Sequence, residues 1–225
     1  MKPAPLSSVE VGMGSRMPTK PEQEDVVIAE KNRAAEARTR ILMSAARRFR
    51  SQGYVATTVR EVADDAGMLL GSLQYRYAKK EVLLVAVMES AVERTTQAIR
   101  QAIADKHDVA DRMRAAMTAY LDTLWCGDDA LYVLLYDWRA LKGGDRERAA
   151  QLHERLFALF DGLFYEAAGA GYISADIDIP TLRALWLGAL NWTADHPPAK
   201  TAGEVSELLW TVLTEGASRR RIRAD

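Results

Sequence analysis

The residue types that catalysis and metal binding use are few in this sequence, and their spacing suits neither chemistry. The histidines His107, His153 and His196 lie in separate segments. His153-Glu154 begins like a zinc-protease motif, but Phe157 stands where the second histidine ligand is needed. The sequence therefore predicts no catalytic residue, no metal site, no cofactor and no enzymatic activity.

Two further features are too isolated to form a site. The glycine clusters at 143–144 and 169–171 lack the strand-then-helix setting and the following lysine of a phosphate loop. Cys126 is the single cysteine, so no internal disulfide forms, and we expect a packed, inert thiol. A lone cysteine fits a reducing compartment, so the predicted location is the cytoplasm.

Another group of residues has the chemistry of nucleic-acid recognition. Gln74 can pair bidentately with adenine and Arg76 with guanine, while Gly71 lets the backbone approach the groove. Thr58 and Lys80 begin two other predicted helices, where exposed amides and the helix dipole favour a phosphate. The predicted DNA-binding residues are Thr58, Gly71, Ser72, Gln74, Tyr75, Arg76 and Lys80.

Three predicted helices position these side chains. They span 32–52, 59–66 and 70–75. Thr58 and Glu61 have the spacing of a capping box, and Gly67 supplies a turn with positive φ. Ala63 and Ala66 are small enough for the two short helices to cross closely. This pattern predicts a helix-turn-helix, which lays its third helix in the DNA major groove.

Three runs of sequence carry a family likeness: Gly53–Met68, Gly71–Tyr77 and Lys79–Leu84. Together they closely resemble the N-terminal domain of TetR-family transcriptional regulators. The resemblance implies an all-α protein. A three-helix DNA-binding domain is expected at 31–80, and a C-terminal helical ligand-binding and dimerisation domain at 81–225.

The sequence departs from the usual family pattern at three places. Leu69 stands where a small polar residue commonly caps the third helix, which loosens that cap by about 1 kcal/mol. Gln74 replaces a frequent tyrosine, and Arg76-Tyr77 replaces the usual His-Phe pair. We expect the last two changes to alter which bases are read.

The distribution of charge supports a separate DNA-binding part. Residues 31–80 contain 11 Lys/Arg and 4 Asp/Glu, a net of +7, which leaves −8 on the other 175 residues of a chain whose total is −1. A basic module on an acidic body is typical of a DNA-binding domain joined to a ligand-binding one. The alternative is a solvated arginine-rich helix face.

Residues 1–30 carry four of the seven prolines and no apolar periodicity, which predicts a flexible extension.

Beyond residue 80 the sequence predicts six more helices, of which the last two carry regular apolar stripes. In TetR-like proteins the last two long helices pair across a twofold axis, so the resemblance implies a homodimer that reads a near-palindrome. The alternative is that both helices only cover their own subunit's core. The predicted interface residues are Leu182, Leu185, Leu190, Val205, Leu208, Leu209 and Val212.

Twelve of the 17 aromatic residues lie between 108 and 194, and a helical bundle lined by rigid rings is a usual form of small-molecule pocket. The segment 188–193, with Arg155, is similar to an acyl-CoA-sensing branch of the family, although 195–198 departs from that branch. The predicted pocket residues are Trp125, Tyr132, Tyr136, Trp138, Arg139, Arg155, Phe160, Trp186, Asn191 and Trp192.

These observations predict a transcriptional regulator, and the family's habit makes it a repressor. It is expected to bind a palindromic double-stranded DNA operator as a dimer and to be released by a small-molecule effector, an acyl-CoA or another hydrophobic ligand. No stretch approaches the ~18 apolar residues of a membrane span, so no membrane partner is expected. The alternative is an all-helical ligand carrier or partner-binding dimer without operator recognition.

Overall fold

The structure is a computed structural model that describes residues 20–126 and 129–216. All regular elements in these ranges are helical, which confirms the predicted all-α class. They are α1 (Lys20–Gln52), α2 (Val59–Asp65), α3 (Leu70–Arg76), α4 (Lys80–Ile103), α5 (Val109–Trp125), α6 (Asp129–Tyr136), a 3-10 turn (Asp137–Ala140), α7 (Gly143–Gly169), α8 (Ile179–Trp192) and α9 (Ala202–Glu215). The chain divides into two compact units, residues 1–38 and 39–225.

The first unit contributes the N-terminal half of α1, whose side chains are exposed almost throughout from Asp25 onward. The flexible extension was predicted to reach residue 30, whereas α1 begins at Lys20. Residues 20–38 are rich in Glu, Lys, Arg and Ala, and extending an existing helix needs no new nucleus. The expectation for residues 1–19 lies outside the described residues.

The second unit begins with the apolar face of α1, which closes a small core with α2 and α3. Ile41, Ala45 and Phe49 are buried there, as are Val62 of α2 and Leu73 of α3. We call this three-helix part, residues 39–80, the head. Its hydrophobic contacts confirm that the helical periodicity of this stretch marks a core.

The arginine-rich face of α1 is only partly a solvated surface. Arg48 donates two hydrogen bonds to Asp65 at the end of α2, with Nε–Oδ2 at 2.6 Å and Nη2–Oδ1 at 2.8 Å. This bidentate pair holds the pKa of the Asp65 carboxyl below its usual range. The pair therefore fixes α2 against α1 by geometry as well as by charge.

The local signals at the ends of α2 are confirmed. Glu61 N–H donates to the Thr58 hydroxyl at 3.3 Å, and the Thr58 backbone N–H donates to the Glu61 carboxylate at 2.7 Å. Gly67 adopts a φ of 65° in the following turn, a conformation that suits glycine. Leu69, as expected, caps α3 without a side-chain hydrogen bond.

Helix α4 is the spine of the second unit. Residues 83–88 are all buried, and the helix packs against α5, α6 and α7. In turn, α9 packs on α5 and α8 packs on α7. We call residues 81–216 the body. Because α4 begins beside the head and runs through the body, its buried face belongs to both.

Two expectations need correction. The sequence predicts one of the six later helices over 129–142, but the α-helix that begins at Asp129 ends at Tyr136, and the chain continues as the 3-10 turn to Ala140. Cys126, expected to be packed, is exposed because it follows the last turn of α5 instead of facing the core.

We expect Thr58→Ala to lower the free energy of unfolding by about 1 kcal/mol, because the N-terminal amides of α2 lose their side-chain acceptor. Urea unfolding followed by circular dichroism measures this change. Thr58→Ser is the matched control and keeps the stability, since its hydroxyl can cap in the same way. Equal losses in both variants would contradict a role for the hydroxyl.

Candidate nucleic-acid interface and effector site

Helix α3 presents one continuous exposed surface. Leu73 is its single fully buried side chain and anchors the helix in the head core. All five predicted base-reading residues on α3 are exposed: Gly71, Ser72, Gln74, Tyr75 and Arg76. Tyr75 is 93% exposed, an unusual position for an aromatic ring without a partner molecule. The side chains that carry donors, acceptors and a stacking ring therefore project from one short rigid element.

The first predicted phosphate contact, Thr58, is exposed at the start of α2 but its hydroxyl is engaged. It donates to the Glu61 carboxylate at 2.7 Å while accepting from the Glu61 amide. These hydrogen bonds lower the pKa of the Glu61 carboxyl, so the carboxylate stays ionised beside the cap. An approaching phosphate meets this carboxylate as well as the amides of α2.

The second predicted phosphate contact, Lys80, is committed to the protein itself. Its Nζ donates to the carbonyl oxygens of Tyr54 at 2.8 Å, Thr57 at 2.9 Å and Val55 at 3.2 Å. The ammonium also lies 4.3 Å from the centre of the Tyr54 ring. All three N–H donors of the ammonium are therefore occupied, and Lys80 ties the start of α4 to the turn between α1 and α2.

Three exposed side chains near these positions were not predicted from the sequence to bind DNA. Lys79 precedes α4, and Arg60 lies in the first turn of α2; both are exposed. Leu69, the apolar N-cap of α3, is 79% exposed. A helical wheel of α2 would have placed Arg60 opposite the buried Val62, whereas the exposure of Lys79 depends on Lys80 turning inward.

Some of the predicted pocket residues meet around the end of α8. The Tyr120 hydroxyl donates to the Asn191 side-chain oxygen at 2.5 Å, and the Tyr136 hydroxyl donates to the Asn191 carbonyl at 3.1 Å. Trp125 Nε1 donates to the Thr193 hydroxyl at 2.8 Å. Burial raises the pKa of Tyr120, so this phenol stays neutral. The aromatic residues thus form a hydrogen-bonded cluster, in which Tyr120 and Thr193 are additions to the predicted set.

The other predicted pocket residues are dispersed. Phe160 is fully buried, with its ring centre 5.6 Å from that of Tyr120, and Trp186 is 7% exposed beside Phe164. Trp192 is 66% exposed and stacks on His196. Phe160 and Trp186 therefore fill the core of the body, as hydrophobic periodicity alone would allow.

The predicted arginines are both exposed but differ in their surroundings. Arg139 lies over the half-buried Trp138 ring, 5.0 Å from its centre. Arg155 lines a cleft of about 370 Å³ between α4, α5 and α7. A second cleft, of about 490 Å³, lies beside α1 and is lined by Met43, Ser44 and Arg94 among others. The predicted aromatic residues line neither of these two clefts.

The last two helices expose part of their apolar stripes. Leu185 of α8 is 70% exposed, and Leu208 and Val212 of α9 are 53% and 40% exposed. Leu182 and Leu209 are half-buried. Leu190 and Val205, also predicted for the interface, are instead 1% and 8% exposed because they face the chain's own core. The candidate dimer face is therefore narrower than the full stripes.

Neither a metal centre nor a membrane span is found in the described ranges. No group of three or more His, Cys, Asp or Glu side chains there is placed to hold a metal ion. No helix described is both long enough and apolar enough to cross a bilayer. His153 lies between the Trp138 and Phe157 rings, where burial lowers the pKa of its imidazole.

Comparison with known proteins gives matches to two family models. The model described as bacterial regulatory proteins, tetR family, matches residues 41–87. The model described as tetracyclin repressor-like, C-terminal domain, matches residues 106–195. The first match covers the head and the start of α4, and the second covers most of the body.

Individual proteins are similar over most of their length. The HTH-type transcriptional repressor KstR2 of Rhodococcus jostii (strain RHA1) is 26% identical over 143 residues, 63% of this chain and 70% of that protein. The structure of superantigen PfiT is 29% identical at a TM-score of 0.68 and covers 79% of this chain and 95% of PfiT. The structure of AibR in complex with isovaleryl coenzyme A and operator DNA is 21% identical at a TM-score of 0.70, and it covers 79% of this chain and 98% of AibR.

The two family models follow one another in the order in which the head and the body follow one another here. The head holds the capping box, the positive-φ turn and the exposed α3 surface that the resemblance implied. This chain belongs to the TetR family of bacterial transcriptional regulators.

Proposed function

We propose that this chain is a transcriptional repressor that binds a palindromic operator as a homodimer and releases it when a small-molecule effector binds the body. It acts in the cytoplasm and catalyses no reaction. The observation that carries the proposal is α3, where Leu73 anchors a helix whose other faces expose Gln74, Tyr75 and Arg76. The net charge of +7 on residues 31–80 supports contact with a phosphate backbone.

The effector proposed is an acyl-coenzyme A thioester. The AibR structure, which shares this fold, is described as a complex with isovaleryl coenzyme A and operator DNA. KstR2 of Rhodococcus jostii is named as a repressor, which supports repression as the mode of regulation. In this chain the cluster around Asn191 supplies hydroxyl and amide groups inside an aromatic body, a setting that suits a polar thioester beside an apolar acyl chain.

A chain of contacts joins the head to this cluster. Arg50, near the end of α1, donates to the Asp129 carboxylate at the start of α6 with Nη1–Oδ1 at 3.0 Å. Its guanidinium also lies 4.8 Å from the centre of the Tyr132 ring. Tyr132 and Tyr136 lie with ring centres 4.5 Å apart, and Tyr136 donates to Asn191. A change at Asn191 therefore reaches α1 through α6.

The energy for release comes from the difference between two affinities. The effector must bind the released state more tightly than the DNA-bound state, and a coupling of 1–3 kcal/mol, about 5- to 150-fold, is typical. In this structure α6 contacts α1 through Arg50 and Asp129 and the end of α8 through Tyr136 and Asn191. We propose that a shift of α6 moves α1 and so changes the spacing of the two heads.

A second candidate function is partner binding without operator recognition. PfiT, which has the same fold, is described as a superantigen. Selection of genomic DNA fragments by the purified full-length protein distinguishes the two functions. A repressor enriches one or a few palindromic sites with half-sites about one helical turn apart, whereas recovery of no enriched sequence would favour partner binding.

We expect Gln74→Ala to relax base preference at one operator position by about 1–3 kcal/mol, because a bidentate contact to a base edge is lost. Lys79→Ala and Lys80→Ala are both expected to weaken all sequences alike. Only Lys80→Ala also lowers the melting temperature, because its ammonium holds three carbonyls of the head. Fluorescence anisotropy with operator variants measures the affinities, and thermal melts measure the stability. A melting temperature unchanged in Lys80→Ala would contradict the role of this ammonium in stabilising the head.

Dimerisation through α8 and α9 predicts that Leu185→Glu with Leu208→Glu yields monomers. Both side chains are exposed, so the change leaves the fold intact while it places four buried charges in the twofold interface. Light scattering measures the mass, and operator affinity should fall at least tenfold. Tyr165→Glu, at a residue of α7 that is 60% exposed, is the matched control. A double variant that stays dimeric would exclude this face.

Arg50→Lys keeps the positive charge of Arg50 but loses the planar group that lies over Tyr132. We expect the effector-induced loss of operator affinity to shrink by about 1 kcal/mol, roughly fivefold, because the link between α1 and α6 is weakened. The ratio of operator dissociation constants with and without effector measures this coupling. Arg47→Lys, at a more exposed position of α1, serves as the control. Equal coupling in both variants would rule out the Arg50 route.

A further inference from the structure

A mostly exposed leucine side chain adjoins the surface of α3 that carries the predicted base-reading residues. Leu69 is 79% exposed, whereas its neighbours Met68 and Leu70 are half-buried and pack against the hydrophobic core. The Leu69 carbonyl oxygen accepts from the Ser72 N–H at 3.0 Å, which places Leu69 one turn before the exposed Ser72. Leu69 therefore extends the exposed surface of α3 with an apolar side chain.

Neither packing nor helix capping accounts for a leucine at this position. Leu69 has the extended backbone that precedes a helix, with φ −69° and ψ 139°, but its side chain makes no hydrogen bond to the amides of α3. The side chains that supply such a bond to α2, α5, α8 and α9 are Thr58, Asp108, Asp178 and Thr201. A small polar residue in place of Leu69 would stabilise α3 in the same way.

Two residues later, Gly71 leaves the backbone of α3 uncovered. Glycine destabilises a helix relative to alanine. A Cβ built at Gly71 meets no heavy atom within 4 Å, and Gly71 is not among the glycines with positive φ. The packing and the backbone of this chain would therefore accept alanine there. The missing side chain instead leaves space for a flat group to approach the helix beside Leu69.

The major groove of DNA offers a partner for an aliphatic side chain in this position. The C5-methyl group of thymine projects into that groove and is read by apolar contact. The net charge of +7 on residues 31–80 favours DNA over an apolar protein surface as the molecule that approaches α3. Gln74 and Arg76, exposed on the same short helix, suit the polar edges of neighbouring bases.

We propose that Leu69 reads a thymine by packing against its C5-methyl group, and that Gly71 leaves room for the edge of that base. Leu69 is then a specificity-determining residue, whose apolar contact is gained at the expense of a helix cap. This assignment rests on the operator binding proposed above. It adds to that function the identity of one base in each half-site of the operator.

Removal of the methyl group from the DNA tests the assignment directly. Operator fragments recovered from the genomic selection are synthesised with single thymines replaced by deoxyuridine, which pairs in the same way but lacks the C5-methyl. Replacement of the thymine that Leu69 contacts should weaken binding of the full-length protein about fourfold in one half-site and about fifteenfold in both, since one buried carbon is lost each time. Fluorescence anisotropy measures this uracil penalty.

Variants of Leu69 assign the penalty to its side chain. Leu69→Ser should remove the uracil penalty at that thymine while raising the melting temperature by a few degrees, because a serine hydroxyl can cap α3. Loss of discrimination in a more stable protein cannot come from unfolding. Leu69→Met keeps an apolar contact and should keep the penalty. Met43→Ala, at a residue of α1 that is 61% exposed, is the matched control and should keep it in full.

The outcomes separate this inference from the proposed function. If an operator is recovered but uracil weakens binding nowhere, or weakens Leu69→Ser as much as the unmodified chain, the assignment is overturned and operator recognition stands. Equal affinity of Leu69→Ser and the unmodified chain for the thymine-containing operator would also overturn it and would favour a protein partner for this side chain. Recovery of no enriched sequence would overturn both the proposed function and the assignment.

Discussion

The rest of the structure depends on where α4 begins, and one ammonium group fixes that point. Lys80 donates to three carbonyl oxygens of the turn between α1 and α2 and packs on the Tyr54 ring. Those carbonyls follow the end of α1 and have no place in a helix ladder, so a cation with three donors satisfies them together. The first residue of α4 is thereby joined to the turn between α1 and α2.

The head and the body meet different demands, which explains their opposite charges. The head needs one buried stripe, and its remaining surface is free to carry arginine and lysine toward phosphates. The body buries large aromatic side chains such as Tyr120, Phe160 and Trp186, so its charges lie outside and are mostly acidic. Among the basic residues of the body, Arg112 of α5 pairs with Glu166 of α7 and so ties these two helices together.

Much of the fold was predictable because its signals are local. The capping box at Thr58 and Glu61, the turn at Gly67 and the helical periodicity around Ile41 and Phe49 act within a few residues, and the structure confirms each of them. The sequence did not predict that α1 begins at Lys20, because the exposed helix-forming residues before residue 32 show no apolar periodicity. The sequence could not predict which aromatic residues lie in the core and which lie in the cluster around Asn191. Both sets follow the same helical spacing of large side chains.

The sequence by itself determined the all-α class, the helix-turn-helix and the separation of a basic part from an acidic one, since composition and short-range spacing are properties of the chain. Only the tertiary structure decided what each long side chain touches. The ammonium of Lys80, a predicted phosphate ligand, donates to carbonyl oxygens of the head, Leu190 and Val205 face the core, and Arg155 lines a cleft together with Arg100 and Arg112. These outcomes depend on how helices distant along the chain pack together, which helical periodicity does not encode.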